Sequence, residues 1–261
     1  IKSAQVFNYL KHAEDYGLTV KNYDKNFDAV INRSRNVASG MSKGVDFLMK
    51  KNKIDVIEGY GKIKSGKKVS VENENGKITD FQATNIIIAT GAKSRALPNL
   101  PQDGKKIIGY REAMTLKKQP KKIIIVGSGA IGVEFAYFYN AMGSEVTIVE
   151  YLDRIVPVED EEVSKALEVN FKKNGIKILT SSELIKADTK GKTLSATVKN
   201  GGNEIILKAD IILSAVGIKS NIENIGLEDV GIVTDDDKVL IDDFYQTNIP
   251  GYYAIGDITK G

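Results

Sequence analysis

The chain has 261 residues, enough for two domains with well-buried cores, and its 42% hydrophobic and 27% charged residues are the ordinary balance of a globular protein. Its net charge is only +3, with lysines spread along the sequence, which argues against a nucleic-acid surface or a polybasic membrane patch. Cysteine is absent and there is one histidine, so these residues hold no disulfide, no thiolate chemistry and no Cys- or His-based metal site.

Residues 1–15 carry apolar positions at Ile1, Ala4, Val6, Phe7 and Leu10, a helical spacing that stops at Gly17. A longer helix is expected from about Asp24 to Leu48. Short strands should follow at 55–58, 68–72 and 77–83, the last two joined by the Glu74-Asn75-Gly76 turn. Residues 85–89 are nearly all apolar, as in a strand buried on both faces, and run straight into Thr90-Gly91-Ala92. Pro98, Pro101 and Pro120 mark a connector and a domain boundary.

Residues 121–150 read KKIIIVGSGAIGVEFAYFYNAMGSEVTIVE and carry the most chemistry. An apolar strand breaks into Gly127-Ser128-Gly129-Ala130-Ile131-Gly132, a helix pattern follows, and a second apolar strand stops at Glu150. Gly127 suits the tight turn, Gly129 lets the backbone approach a pyrophosphate, and Gly132 lets the helix lie close to the sheet. The helix start offers unpaired N–H groups to phosphates. Glu150 stands where an acid accepts from the adenosine ribose and repels a 2′-phosphate, which favours NAD over NADP. The bare glycine pattern also suits a nucleotide-free turn; strand, helix, second strand and acid in order are what lift it above that reading.

Helix 159–174 then begins with acids and ends with Lys172 and Lys173, complementing its dipole, and Gly175 stops it. A strand at 176–179, two strands around Gly201-Gly202 and a buried strand at 210–216 complete a Rossmann-like α/β domain over residues 110–237. Strands at 238–242 and 251–255 would be orphans unless they rejoin the first segment. A discontinuous first domain, 1–109 with 238–261, is therefore expected, with the dinucleotide domain inserted in it. The chain opens in mid-helix pattern without a methionine and stops directly after a strand, so both ends read as cut. No secretory signal and no membrane-length apolar run is present, which makes the expected location cytoplasmic.

In order, Ala89-Thr90-Gly91, the Gly127–Gly132 turn, Glu150, Ala215-Val216-Gly217 and Thr247-x-x-Pro250-Gly-x-Tyr-Ala-Ile-Gly256-Asp257 resemble the flavoprotein disulfide reductases. The opening SAQVFNYLKHAEDYG, GYGKI at 59–63 and IVPVEDEEVSKAL at 155–167 extend the resemblance over essentially the whole chain. They point to members that oxidise protein-bound dihydrolipoamide. The resemblance implies FAD and NAD as cofactors, each on a Rossmann-like domain with a parallel sheet and a small β-meander. It implies a lipoyl domain of a 2-oxoacid dehydrogenase complex as partner, and a homodimer for the full-length protein. Electrons would pass from the dithiol to an enzyme disulfide, to FAD, and as hydride to NAD⁺.

By the same resemblance, Gly127, Ser128, Gly129, Ala130, Ile131, Gly132, Val133 and Glu134 match the NAD turn, and Glu150 the ribose acid. Leu184 and Gly217 match positions lining the adenine and nicotinamide ends. Gly61, Thr90, Gly91 and Ala92 match FAD contacts, and Asp257 the acid that bonds the ribityl chain. Glu134 matches an acid near the nicotinamide, although an acid in the first turn of a helix is also favoured by the dipole. His12 reads as a solvated helix residue, the acids at 159–162 as a helix start and those at 235–237 as a loop. The family's first glycine fingerprint, redox disulfide and C-terminal interface domain are missing, so no catalytic residue is assigned. Lys219 stands one place after the position of a family arginine. Two alternatives remain: a nucleotide-binding piece without turnover, and another NAD(P)H-dependent FAD disulfide reductase such as one acting on glutathione.

Overall fold

A computed structural model describes residues 1–260. In chain order it holds α1 (Lys2–Lys11), α2 (Phe27–Lys51), β1 (Tyr60–Lys64), β2 (Lys68–Glu72), β3 (Ile78–Gln82), β4 (Ile86–Ile88) and β5 (Ala92–Ser94). Then come β6 (Ile107–Ile108), α3 (Tyr110–Ala113), β7 (Lys122–Val126), α4 (Ala130–Ala141), β8 (Glu145–Val149), α5 (Glu161–Lys173) and β9 (Lys177–Leu179). The rest is β10 (Ser182–Asp188), β11 (Leu194–Asn200), β12 (Asn203–Ala209), β13 (Ile211–Ser214), β14 (Ile218–Ser220), α6 (Leu227–Val230), β15 (Thr234–Asp235), β16 (Lys238–Val239) and β17 (Tyr252–Ala254).

Two compact units form. The first joins Ile1–Gly40 to Ser94–Gly217; the second joins Met41–Lys93 to the segment from Ile218 onward. In the first, β6, β13, β7, β8 and β9 lie side by side in that order as an all-parallel sheet. Its central strand shows why both faces are covered. Ile123 and Ile125 point to the helix side with Phe138, Tyr139 and Phe171. Ile124 and Val126 point to the opposite side, where the antiparallel meander β10-β11-β12 supplies Leu184, Leu194, Ala196 and Val198. A strand apolar at every position is what such a two-sided core requires. Helix α5 starts as its sequence dictates: the Asp160 side chain caps the backbone N–H of Glu162 at 2.8 Å.

The N-terminal 40 residues join this first unit, whereas the sequence reading grouped them with 41–109. The reason is the outer face of α4. Ala4 of α1 is buried in the helix-side core, and Lys11 Nζ donates to the Ala141 carbonyl at the C-terminal end of α4. Phe27, at the start of α2, packs against Phe138 and Tyr139. Further along α2, Val37, Met41, Val45 and Leu48 are exposed. Residues 218–237 likewise fall in the second unit rather than the first.

The second unit contains the antiparallel sheet β1-β2-β3 and a parallel pair, β4 with β17. The register Tyr252 to Ile86, Tyr253 to Ile87 and Ala254 to Ile88 joins the tail strand to the 85–89 run. Three sequence expectations shift here. The strand expected at 55–58 lies instead at Tyr60–Lys64, because only there does an apolar residue, Ile63, turn into the core beside Ile225 and Leu227. Ile54, Val56 and Ile57 stay exposed. The strand expected at 238–242 shrinks to two residues paired with β15. The 85–89 strand is covered on one face only, with Ile87 64% exposed between buried Ile86 and Ile88. Among the described residues, no helix is long and apolar enough to cross a membrane.

Candidate functional site

The turn after β7 is shaped by two glycines that packing demands and one that it does not. Gly127 has φ +95°, and a Cβ there would stand 2.5 Å from the Ala215 carbonyl oxygen. A Cβ on Gly132 would overlap the carbonyl of Gly127, so the first turn of α4 sits directly on the strand end. Around Gly129 there is open space instead. Gly129 is also the N-cap of α4 and offers no side-chain cap. The first N–H groups of this 12-residue helix therefore lie beside an open flank, which suits an approaching phosphate.

At the end of β8, Glu150 is 6% exposed and Ser128 is fully buried. Glu150 Oε2 accepts from the Ser128 backbone N–H at 2.8 Å and from the Ser128 hydroxyl at 2.6 Å. Its Oε1 accepts from the Leu152 N–H at 2.8 Å. A carboxylate this deep must be paired, and three donors of the chain itself do so. The following loop is tied to the same place, since Val156 N–H donates to the Ser128 carbonyl at 3.0 Å. The acid is thus fixed against the glycine turn, 22 residues away in sequence.

In the second unit, the Thr90-Gly91 turn is fastened by Asn221. Thr90 Oγ1 donates to the Asn221 carbonyl at 2.7 Å, Asn221 N–H to the Gly91 carbonyl at 2.8 Å, and Asn221 Nδ2 to the Thr90 carbonyl at 3.1 Å. Thr90 and Gly61 line one open cavity of ≈ 480 Å³ together with Asn221, Lys93 and Glu223. At its rim Lys219 and Lys93 both donate to Glu223 and hold that carboxyl far below its usual value, at about 2. Asp257 is exposed and follows Gly256, which has φ +75°. Its backbone carbonyl accepts from Ser220 Oγ at 2.8 Å.

The family model for pyridine nucleotide-disulphide oxidoreductases matches residues 5–261. The chain belongs to this family. It is 40% identical over 259 residues to a dihydrolipoyl dehydrogenase of Zymomonas mobilis, covering 99% of this chain and 56% of the relative. It is 43% identical to one from Mycobacterium leprae, covering 96% and 54%. A dihydrolipoyl dehydrogenase of Acholeplasma laidlawii is 38% identical, with 99% and 75% covered. The crystal structure of LpdA from Mycobacterium tuberculosis superposes with a TM-score of 0.90 at 26% identity, over 99% of this chain and 56% of that one. The chain thus spans about half the length of most of these relatives.

Within this oxidoreductase family member, the residues singled out in the sequence fall into several places. Gly127 to Val133 and Glu150 come together at the β7–α4 turn. Glu134 is the fifth residue of α4, beyond its first turn, so the dipole does not account for it. It lines a cavity of ≈ 260 Å³ with Lys2, Arg33, Arg35 and Phe138. Leu184 is 3% exposed and packed under the meander with Val149 and Val198, so it acts as core. Gly217, φ +105°, ends the 211–216 run and its carbonyl accepts from Arg95 N–H at 3.0 Å. Gly61 and Thr90 share the second unit's cavity, while Ala92 is buried. Sequence reasoning placed Ser128 in the turn but not its bond to Glu150, and it missed Asn221, 130 residues from the turn it fastens; a hydroxyl or amide gives no local signal of a distant partner.

Proposed function

We propose that the unit joining Ile1–Gly40 to Ser94–Gly217 seats NAD and that the unit joining Met41–Lys93 to the segment from Ile218 onward supplies part of an FAD cradle, in a dihydrolipoyl dehydrogenase. The observation that supports this most is the buried Glu150 carboxylate fixed against the open, uncapped start of α4 in a chain similar to enzymes of that name. The free N–H groups of α4 bind the pyrophosphate, with Gly129 giving it room. Glu150 accepts from the adenosine ribose and repels a 2′-phosphate. Glu134 and Gly217 stand at the nicotinamide end. Gly61, Thr90, Gly91, Ala92 and Asp257 are assigned to FAD, with Asp257 accepting from a ribityl hydroxyl. When bound, FAD would relay the two electrons of the dithiol and NAD⁺ would accept them as hydride, one proton being released.

On this reading the parent protein oxidises protein-bound dihydrolipoamide on the lipoyl domain of a 2-oxoacid dehydrogenase complex, as a cytoplasmic homodimer. The chain has no cysteine, so the dithiol–disulfide exchange belongs to other residues of the parent, and these 261 residues alone do not turn over. The test is a titration of the chain with NADH and with NADPH, followed by nicotinamide fluorescence. NADH should bind at least tenfold more tightly; a preference for NADPH favours a relative acting on another disulfide and overturns the assignment.

A further inference from the structure

The donors around Glu150 are redundant in a way that gives Ser128 a role of its own. Two backbone N–H groups, of Ser128 and Leu152, already hold one carboxylate oxygen each at 2.8 Å. They fix the orientation of the carboxylate without help. The Ser128 hydroxyl adds a second donor to Oε2, at 2.6 Å. A carboxylate offers about four acceptor positions. Three are therefore in use, and two ribose hydroxyls cannot both be accepted by what remains.

We infer that the Ser128 hydroxyl is a specificity-determining latch that occupies the Glu150 oxygen to which the adenosine 2′-hydroxyl must bind. This rests on the reading of Glu150 as the ribose acid. Nucleotide entry then exchanges one hydrogen bond for another: the Ser128 hydroxyl leaves Oε2 and the ribose 2′-hydroxyl takes its place. Ser128 is fully buried, so its hydroxyl has no water at hand to compensate it while the exchange proceeds. The serine thereby lowers affinity for every nucleotide that needs the oxygen, and leaves untouched any that does not.

The experiment compares two probes, NADH and its analogue lacking the adenosine 2′-hydroxyl, on the unmodified chain and on Ser128→Ala. The unmodified chain should bind NADH no more tightly than the 2′-deoxy analogue, because the exchange gains no net hydrogen bond. Ser128→Ala should tighten NADH on the order of fivefold, the worth of one hydrogen bond, and leave the analogue unchanged. Ser128→Gly removes the same hydroxyl without a Cβ and must give the same pattern, which guards against a local packing fault in either variant. No preference for NADH over NADPH in the unmodified chain would show that Glu150 is not the ribose acid, and the latch falls with it. If that preference holds but both variants weaken NADH, or change the two probes equally, the ribose reading stands and the latch is wrong.

Discussion

The turns after β7 and after β4 begin alike, as a short apolar parallel strand followed by a glycine at positive φ, Gly127 at +95° and Gly91 at +67°. Their surroundings differ. β7 lies at the centre of five strands with apolar layers on both faces, whereas β4 pairs with β17 and leaves Ile87 in solvent. The acid beside the first turn, Glu150, is buried and holds three donors; the carboxylate assigned to the second, Asp257, is exposed. The polar groups of the first turn are held in one geometry by the fold itself. A site is preorganised to the extent that its polar groups are already buried and satisfied in one geometry.

The largest expected difference between the two regions is in their strands. Ile125→Ala should cost about 4 kcal/mol of stability, because the side chain is fully buried in the helix-side core, while Ile87→Ala should stay within about 0.5 kcal/mol. Urea midpoints of the two variants measure this, and equal losses would mean that the second strand is as covered as the first. Next comes Gly132→Ala, whose methyl overlaps the Gly127 carbonyl: about 3 kcal/mol lost in the same assay, together with NADH binding.

Glu150→Ala strips the acceptor from three donors and should cost about 2 kcal/mol, with the NADH preference over NADPH abolished in the fluorescence titration. Asp257→Ala should leave the urea midpoint within about 0.5 kcal/mol of the parent. A large loss there would contradict the contrast drawn between the two acids.

The smallest effect concerns Glu223. Lys219 and Lys93 depress its folded pKa to about 2, so the contribution is full above the ordinary carboxyl range and is lost as pH falls through that range to about 2. The group is exposed, so solvent screens the contribution. Carboxyl NMR titration should show the depressed value returning upward in Lys219→Met, and by less in Lys93→Met. An unchanged titration would mean that the two lysines do not hold Glu223 in solution.

Much of the first region was readable in advance because its signals are local. A run of Ile123 to Val126, glycines at fixed offsets and an acid at the end of the next strand each impose their geometry within a few residues. The second region was harder. Residues 54–58 look as strand-like as residues 60–64, and the choice was made by the register of Tyr60 opposite Glu72 and the core space that receives Ile63. Glu134 read as a first-turn acid because the true start of α4, one residue past Gly129, follows from cap geometry.

The sequence by itself determined the order of strands and helices in the first unit, the positions where only glycine fits, and the acid that follows the fingerprint, since each depends on residues close along the chain. Tertiary structure decided the rest: that 1–40 pack on α4, that Asn221 fastens the Thr90 turn, and that Ser128 closes on Glu150. Those outcomes depend on which polar groups are buried together across long separations, and burial is a property of the packed chain.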